Sequence, residues 1–294
     1  MSVRRVPMTV KKKRKIAVLI IFGAILLALI IWIAWGNTAL TISEFTITGD
    51  RIPESFNGFR IAQVSDLHNA QFGENNAKLL DMLQKSEPDI IVITGDLVDS
   101  YDTDIETSLQ FAKDAVKIAP CYYVPGNHEA RISEYSKLKA GLESDDVVVL
   151  ENDHIELERS GEKITLLGVN DPSFKTDYLF GDSSAVMTAE LNELSVDDNS
   201  YTILLSHRPE LFKSYAECGM DLVFSGHAHG GQFRLPFVGG VVAPNQGLFP
   251  DYDGGLYSDG RTNMIVSRGL GNSIIPFRIN NRPEIVVAEL QRAD

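Results

Sequence analysis

Five short apolar runs in this chain each lead, at their carboxyl end, into a His, Asp or Asn. The segments are AQVSDLH (62–68), IIVITGDLVD (90–99), YYVPGNHE (122–129), ILLSH (203–207) and VFSGHAH (223–229). Apolar runs of this length bounded by turn residues read as buried strands. A further run covers 164–169, and the tail from Asn263 reads as two or three strands ending in Ile285–Leu290. Helical spacing lies between several of the runs. Leu79, Leu80, Met82 and Leu83 share one face ahead of Pro88, while Ile105, Leu109, Ala112 and Val116 share another that Thr103 or Asp104 can cap. Pro209 suits the first position of a third helix. Strand alternating with helix predicts an α/β fold with helices outside the sheets. Ligands of such sheets bind beyond the carboxyl ends of the strands, so one pattern predicts both the fold class and the position of the site. No repeat, low-complexity tract or second linker interrupts the chain, which predicts one domain over residues 45–294.

One His at a strand end is ordinary, but five successive deposits of His, Asp or Asn at one sheet edge are not a packing requirement. The candidates are Asp66, His68, Asp96, Asn127, His128, His207, His227 and His229. His154, between Asp153 and Ile155, lacks this context and reads as a surface or strand residue. Oxygen and imidazole donors without thiolate suit Mn, Fe or Zn and argue against a structural zinc site. Neither Cys121 nor Cys218 has a CxxC partner, and both read as small buried hydrophobes. Seven or more ligands are too many for one ion and suit two, held about 3.5–4 Å apart by a bridging carboxylate.

Asp66-Leu67-His68, Gly95-Asp96-Leu97-Val98-Asp99, Gly126-Asn127-His128-Glu129, Ser206-His207 and Gly226-His227-Ala228-His229 resemble, in order and spacing, the five blocks of the calcineurin-like metallophosphoesterases. The flanking GHAHGGQ (226–232), SRGLG (267–271) and PFRINNRPE (276–284) resemble the membrane-associated bacterial branch, which is itself similar to phosphoesterases of the UDP-2,3-diacylglucosamine pyrophosphatase kind. The resemblance implies a four-layer α/β/β/α sandwich with two divalent ions, Mn²⁺ foremost and Zn²⁺ or Fe as alternatives. It assigns Asp66, His68, Asp96 and His229 to one ion. Asp96 as bridge, with Asn127, His207 and His227, goes to the other. A hydroxide bridging the metals is then the nucleophile, and His128 faces the substrate to protonate the departing oxygen or stabilise its negative charge. Asp99 orients a loop or a ligand. The implied reaction is phosphodiester or pyrophosphate hydrolysis on a lipid-linked or cell-envelope phosphate. The alternatives are a tethered phosphodiesterase for soluble nucleotides or phosphomonoesters, and a metal-binding scaffold without catalysis. Arg131, Arg208 and Arg268 are candidate substrate-binding cations, and the loops 173–182 and 244–260 are candidate recognition elements.

The second constraint is Ile16–Trp35, twenty residues without charge or proline. As a helix they extend about 30 Å, the thickness of a bilayer's hydrocarbon core. Lys11–Lys15 precede them, with Arg4 and Arg5 further out, so the positive-inside rule predicts residues 1–15 as a cytoplasmic tail. Residues 36–44 then form a linker, and the domain lies outside the cytoplasm at the cell membrane. A cleaved signal peptide is the rival, and Arg4-Arg5 also admits a twin-arginine route. Beyond residue 35 there are 20 basic against 40 acidic residues, a balance that excludes nucleic acid as an expected partner.

Overall fold

The computed structural model describes residues 10–175, 183–194, 199–272 and 274–293. Helix α1 (Val10–Thr38) is followed by β1 (Thr41–Gly49), β2 (Arg60–Val64), α2 (Ala77–Lys85), β3 (Ile90–Thr94), α3 (Ile105–Ala115), β4 (Cys121–Val124), α4 (Tyr135–Ser144) and β5 (Val148–Val149). The second half runs β6 (Asp153–Arg159), β7 (Glu162–Gly168), α5 (Ser183–Glu193), β8 (Tyr201–Leu205), α6 (Phe212–Glu217) and β9 (Leu222–Ser225). Two small hairpins follow, β10 (Arg234–Leu235) with β11 (Gly239–Gly240) and β12 (Val242–Ala243) with β13 (Gly247–Leu248). The chain closes with β14 (Gly255–Asp259), β15 (Thr262–Val266) and β16 (Glu284–Arg292).

Two six-stranded sheets result, in the orders β1-β16-β2-β3-β4-β5 and β14-β15-β9-β8-β7-β6. The alternation of side chains along each strand decides the layers. Ile61, Val92 and Val124 of the first sheet meet Leu166, Ile203, Leu205 and Phe224 of the second in a core between the sheets. Their neighbours Ala62, Val64, Ile91 and Ile93 face outward onto Leu79, Leu83, Phe111, Leu138 and Leu142, from α2, α3 and α4. On the far side, Leu204 and Val223 pack on Met187, Leu191, Phe212 and Tyr215 of α5 and α6. The architecture is therefore α/β/β/α, four layers, as expected. β2, β3 and β4 run parallel in one sheet, and so do β7, β8 and β9 in the other, so their carboxyl ends gather at one edge. Asp104 caps α3 by accepting from Thr107 N.

Some local expectations change. Residues 36–44 do not form a linker: α1 continues to Thr38, and β1 pairs in parallel with β16 from Thr41↔Glu284 to Gly49↔Arg292. The partner strand lies about 240 residues away, so no local pattern announces this pairing. Pro209 opens a single 3₁₀ turn, Pro209–Leu211, ahead of α6. Within 244–260, the later part is strand β14, with Tyr257 packed edge-on against Tyr252. Of the loop 173–182, residues 176–182 lie outside the described residues. His154 is an exposed residue of β6, as read from the sequence. Both cysteines are free, and burial pushes the Cys121 thiol up to about 12.

Candidate metal centre

The loops after β2, β3, β4, β8 and β9 bring all eight candidate residues to one edge, where they are buried. The backbone bends sharply to do this. Asp66, His68, Asp96, His227 and His229 all have positive φ, between 45° and 63°. That region is costly for residues with a Cβ and is found where function demands it. Gly95 (φ 85°) permits the closest approach: a Cβ there would lie 2.7 Å from both the Gly126 Cα and the His207 Nδ1.

Two clusters of lone pairs form. In the first, His68 Nε2 lies 3.3 Å from His229 Nε2, and Asp66 Oδ1 is 3.4 Å from the latter. In the second, His207 Nε2 lies 3.2 Å from His227 Nδ1 and 3.1 Å from Asp96 Oδ2. The same Asp96 Oδ2 is 3.6 Å from His68 Nε2, so one oxygen faces both clusters. Its other oxygen, Oδ1, accepts from His128 N at 2.9 Å.

Hydrogen bonds on the outer side of the rings aim these lone pairs. His207 Nδ1 lies 2.8 Å from the Thr94 carbonyl, and His227 Nε2 lies 2.8 Å from Asn245 Oδ1. Each contact holds a proton on the outward nitrogen and leaves the inward one bare, the arrangement of histidines that bind metals. The Asn127 side-chain oxygen also faces the bare nitrogens of His207 and His227, where an amide NH₂ would make hydrogen bonds. Lone pairs that converge in this way repel one another, and a proton or a cation between them relieves the repulsion. The residues present therefore fit divalent ions.

Electrostatics agree. Burial pushes the His68 and His229 imidazoles down to about 3, and burial with Arg208 nearby holds His227 well below its usual range. These rings stay neutral, as ligands must. Burial opposes charge on His207 too, but the adjacent Asp96 carboxylate outweighs it and raises the ring to about 10. Asp96 itself is driven well below the carboxylate range, burial being overcome by His207. Without metal, His207 holds the proton that a cation would replace.

Residues 59–231 match the calcineurin-like phosphoesterase family. The chain belongs to that family. A metallophosphoesterase of Bacillus subtilis, YkuE, is 32% identical over 256 residues, covering 85% of each chain. A bovine transmembrane protein with a metallophosphoesterase domain is 31% identical over 255 residues, 83% of this chain and 55% of that one. The phosphodiesterase YaeI of Escherichia coli is 28% identical over 240 residues, 79% of this chain and 82% of its own. This calcineurin-like phosphoesterase is thus a metal-dependent phosphoric ester hydrolase, with candidate metal-binding clusters at Asp66–His68–His229 and Asp96–His207–His227.

His128 sits beside the clusters, its ring edge-on to His68 at 4.5 Å between centroids. Ser100 N donates to its Nδ1 at 2.9 Å, so the neutral ring carries its proton on Nε2. Asp99 accepts from Tyr101 N and lies 3.9 Å from His68 Nδ1 and 3.7 Å from His128 Nδ1. Of the three arginines, Arg131 lines a cavity of about 460 Å³ with Ser100, Tyr101 and Ile274, next to His128. Arg208 is buried and engaged inside the protein, with Asp171 on its Nε and Nη2 at 2.5 and 2.8 Å and Glu210 on its Nη1 at 3.3 Å. Arg268 is paired with Glu284 at 2.5 Å.

Several site residues were not singled out in the sequence. The Glu129 carboxylate, fully buried, accepts from the backbone N–H of Asp96, Gly126 and Val98 at 2.8, 2.7 and 3.2 Å, tying the β3 and β4 loops together. Burial and the nearby Asp96 raise it to about 7. Its signal was its place at the end of GNHE. Asn281 donates to the His229 carbonyl at 2.7 Å, and Arg278 Nη2 lies 3.4 Å from His229 Nδ1. Both belong to the PFRINNRPE stretch.

Proposed function

We propose that this phosphoesterase is a membrane-anchored, dinuclear hydrolase of phosphodiester or pyrophosphate bonds in lipid-linked, cell-envelope phosphates. The observation that carries the reading is the single Asp96 oxygen shared by two clusters of bare ring nitrogens. Asp66, His68 and His229 would hold one ion, Asn127, His207 and His227 the other, with Asp96 between them. When bound, such a pair supplies Lewis acidity toward the phosphoryl oxygens and activates water near neutral pH. An oxygen- and nitrogen-only donor set favours Mn²⁺, with Zn²⁺ or Fe as alternatives.

The chain's own part is positioning and charge stabilisation. His128, its Nε2 proton set by the Ser100 N–H, donates a hydrogen bond to the departing oxygen and stabilises the negative charge there while keeping its proton. Arg131, at the mouth beside it, offsets charge on the substrate phosphate.

Three features support the anchored, lipid-linked reading. No residue of α1 is buried, and the helix is long and apolar enough to cross a membrane, with Lys11–Lys15 at one end in the manner of a cytoplasmic flank. Its other end reaches the site, since Arg278 N donates to Asn37 Oδ1 at 2.7 Å while its guanidinium touches His229. A pocket of about 270 Å³ opens beside His229, walled by Val242, Ala243, Pro244, Ile274 and Ile275. Apolar walls beside the reacting centre suit a lipid.

The test incubates metal-loaded protein with fractionated envelope lipids and, separately, with cyclic and linear nucleotides, following phosphate-ester loss by mass spectrometry. Chelator should abolish turnover of bis-p-nitrophenyl phosphate and Mn²⁺ restore it. Turnover of nucleotides with every lipid fraction untouched would sink the lipid-linked reading.

A further inference from the structure

Where α1 meets the body of the protein, Trp32, Ile33 and Trp35 form one wall of a cavity of about 230 Å³. Arg268, Arg278 and Arg282 line the other. These three cations are poorly balanced. Arg268 is paired with Glu284, but no carboxylate among the described residues lies within 4 Å of the Arg278 or Arg282 nitrogens. Arg282 donates instead to the carbonyls of Ala39 and Leu40 at 2.8 and 2.6 Å, and its guanidinium lies 4.9 Å from the Trp35 ring centroid. Arg278, 1% exposed, donates to the carbonyls of Arg268 and Gly271 and to Asn272 Oδ1. Carbonyl dipoles satisfy the N–H groups without cancelling the charge, and Asp66 and Glu284 act on Arg278 only from beyond ion-pair distance, so the cavity keeps a surplus of positive charge. Burying such charge is costly unless an anion shares the space.

The cavity's location says which anion. Its wall is the carboxyl end of the one helix suited to a bilayer among the described residues, and paired tryptophans are typical of the membrane–water boundary. Basic pockets at that depth recognise lipid headgroups. We propose that this cavity binds the phosphate-bearing headgroup of an anionic phospholipid, held by Arg268 and Arg282 at the mouth with Arg278 behind. The proposal rests on α1 being the membrane anchor. Because Arg278 also touches Asn37 and His229, the bound headgroup would set the height of the metal centre above the bilayer.

The test uses the full-length protein in neutral detergent, with native mass spectrometry of retained phosphatidylglycerol against phosphatidylcholine, and two variants. Arg282→Gln removes one cation. Asn280→Asp adds a negative charge at an exposed position on the rim. We expect one phosphatidylglycerol per chain, preferred over phosphatidylcholine. Each variant should weaken its retention about fivefold, the weight of one basic residue at an anionic surface. Millimolar inorganic phosphate should not displace it. Equal retention of the two lipids, retention unchanged in both variants, or displacement by inorganic phosphate each overturns the proposal. Alkaline carbonate washing of membranes separates the two failures. Protein released by the wash removes the anchor and this site with it, whereas protein retained but without charge selectivity removes the headgroup site alone.

Discussion

Asp96 carries three obligations at once: its Oδ2 serves both clusters, its Oδ1 receives the His128 N–H, and its own N–H is held by Glu129. Asp96→Asn keeps the shape but loses the anionic oxygen that two cations would share. Metal analysis of the purified variant should fall from two ions per chain to near zero, and a variant that still held two would contradict the bridging role. His128→Ala is the complementary case. It removes no lone pair from either cluster, so the metals should stay while turnover drops by about 10²–10⁴. Loss of metal there would make His128 a ligand. At this scale the sequence was legible to an unusual depth, because a His or Asp after a strand is visible one residue at a time. Glu129 was harder to read. A buried acid whose partners are three backbone N–H groups looks, in one dimension, like any turn Glu.

Between elements, the decisive contacts join strand ends from opposite sheets. Gly226 follows β9 in the second sheet, and a Cβ on it would fall 1.9 Å from Ser65 Oγ and 2.4 Å from Asp66 Oδ2, beyond β2 in the first. Gly226→Ala should therefore push Asp66 out of place and cut metal content and activity together, while the far-ultraviolet circular dichroism stays native. Arg208 and Asp171 form another tie, linking the end of β8 to the loop after β7. Both are buried, so Asp171→Ala would leave the interior guanidinium with only Glu210 at 3.3 Å and the Ser173 hydroxyl at 2.9 Å, and should cost about 3 kcal/mol, read from the urea midpoint. The strands and the first two helices were legible from apolar runs and 3.6-residue spacing. Strand β1 was not, because its Ile42 and its Phe45–Ile47 pair face different layers and its partner comes from the far end of the chain. The same lack of local signal let Arg208 pass for a substrate cation when it is an internal tie.

For the whole molecule, the pH dependence of stability sums the buried imidazoles. In the unfolded chain His68, His227 and His229 titrate near 6.5. In the folded chain His68 and His229 titrate near 3 and His227 well below its usual value. Between those limits the unfolded state binds protons that the folded state refuses, so stability is lost as pH falls. Glu129, raised from 4.5 to about 7, and His207, raised from 6.5 to about 10, work in the opposite direction with one proton each, against three from the lowered imidazoles. The urea midpoint of the metal-free protein should decrease from pH 7 to pH 5, and bound metal should steepen the decline because its ligands must be deprotonated. A midpoint that rises on acidification would refute this balance.

By itself the sequence determined the chemistry at each strand end, the α/β alternation that collects those ends, and an apolar segment long enough for a bilayer. These properties are local, carried by residue type and by spacing over a few positions. Tertiary structure alone decided that one oxygen of Asp96 faces both clusters, that Arg208 turns inward, and that the end of α1 meets the metal centre through Arg278. Those depend on distances between residues tens to hundreds of positions apart, which packing of the two sheets and four layers sets.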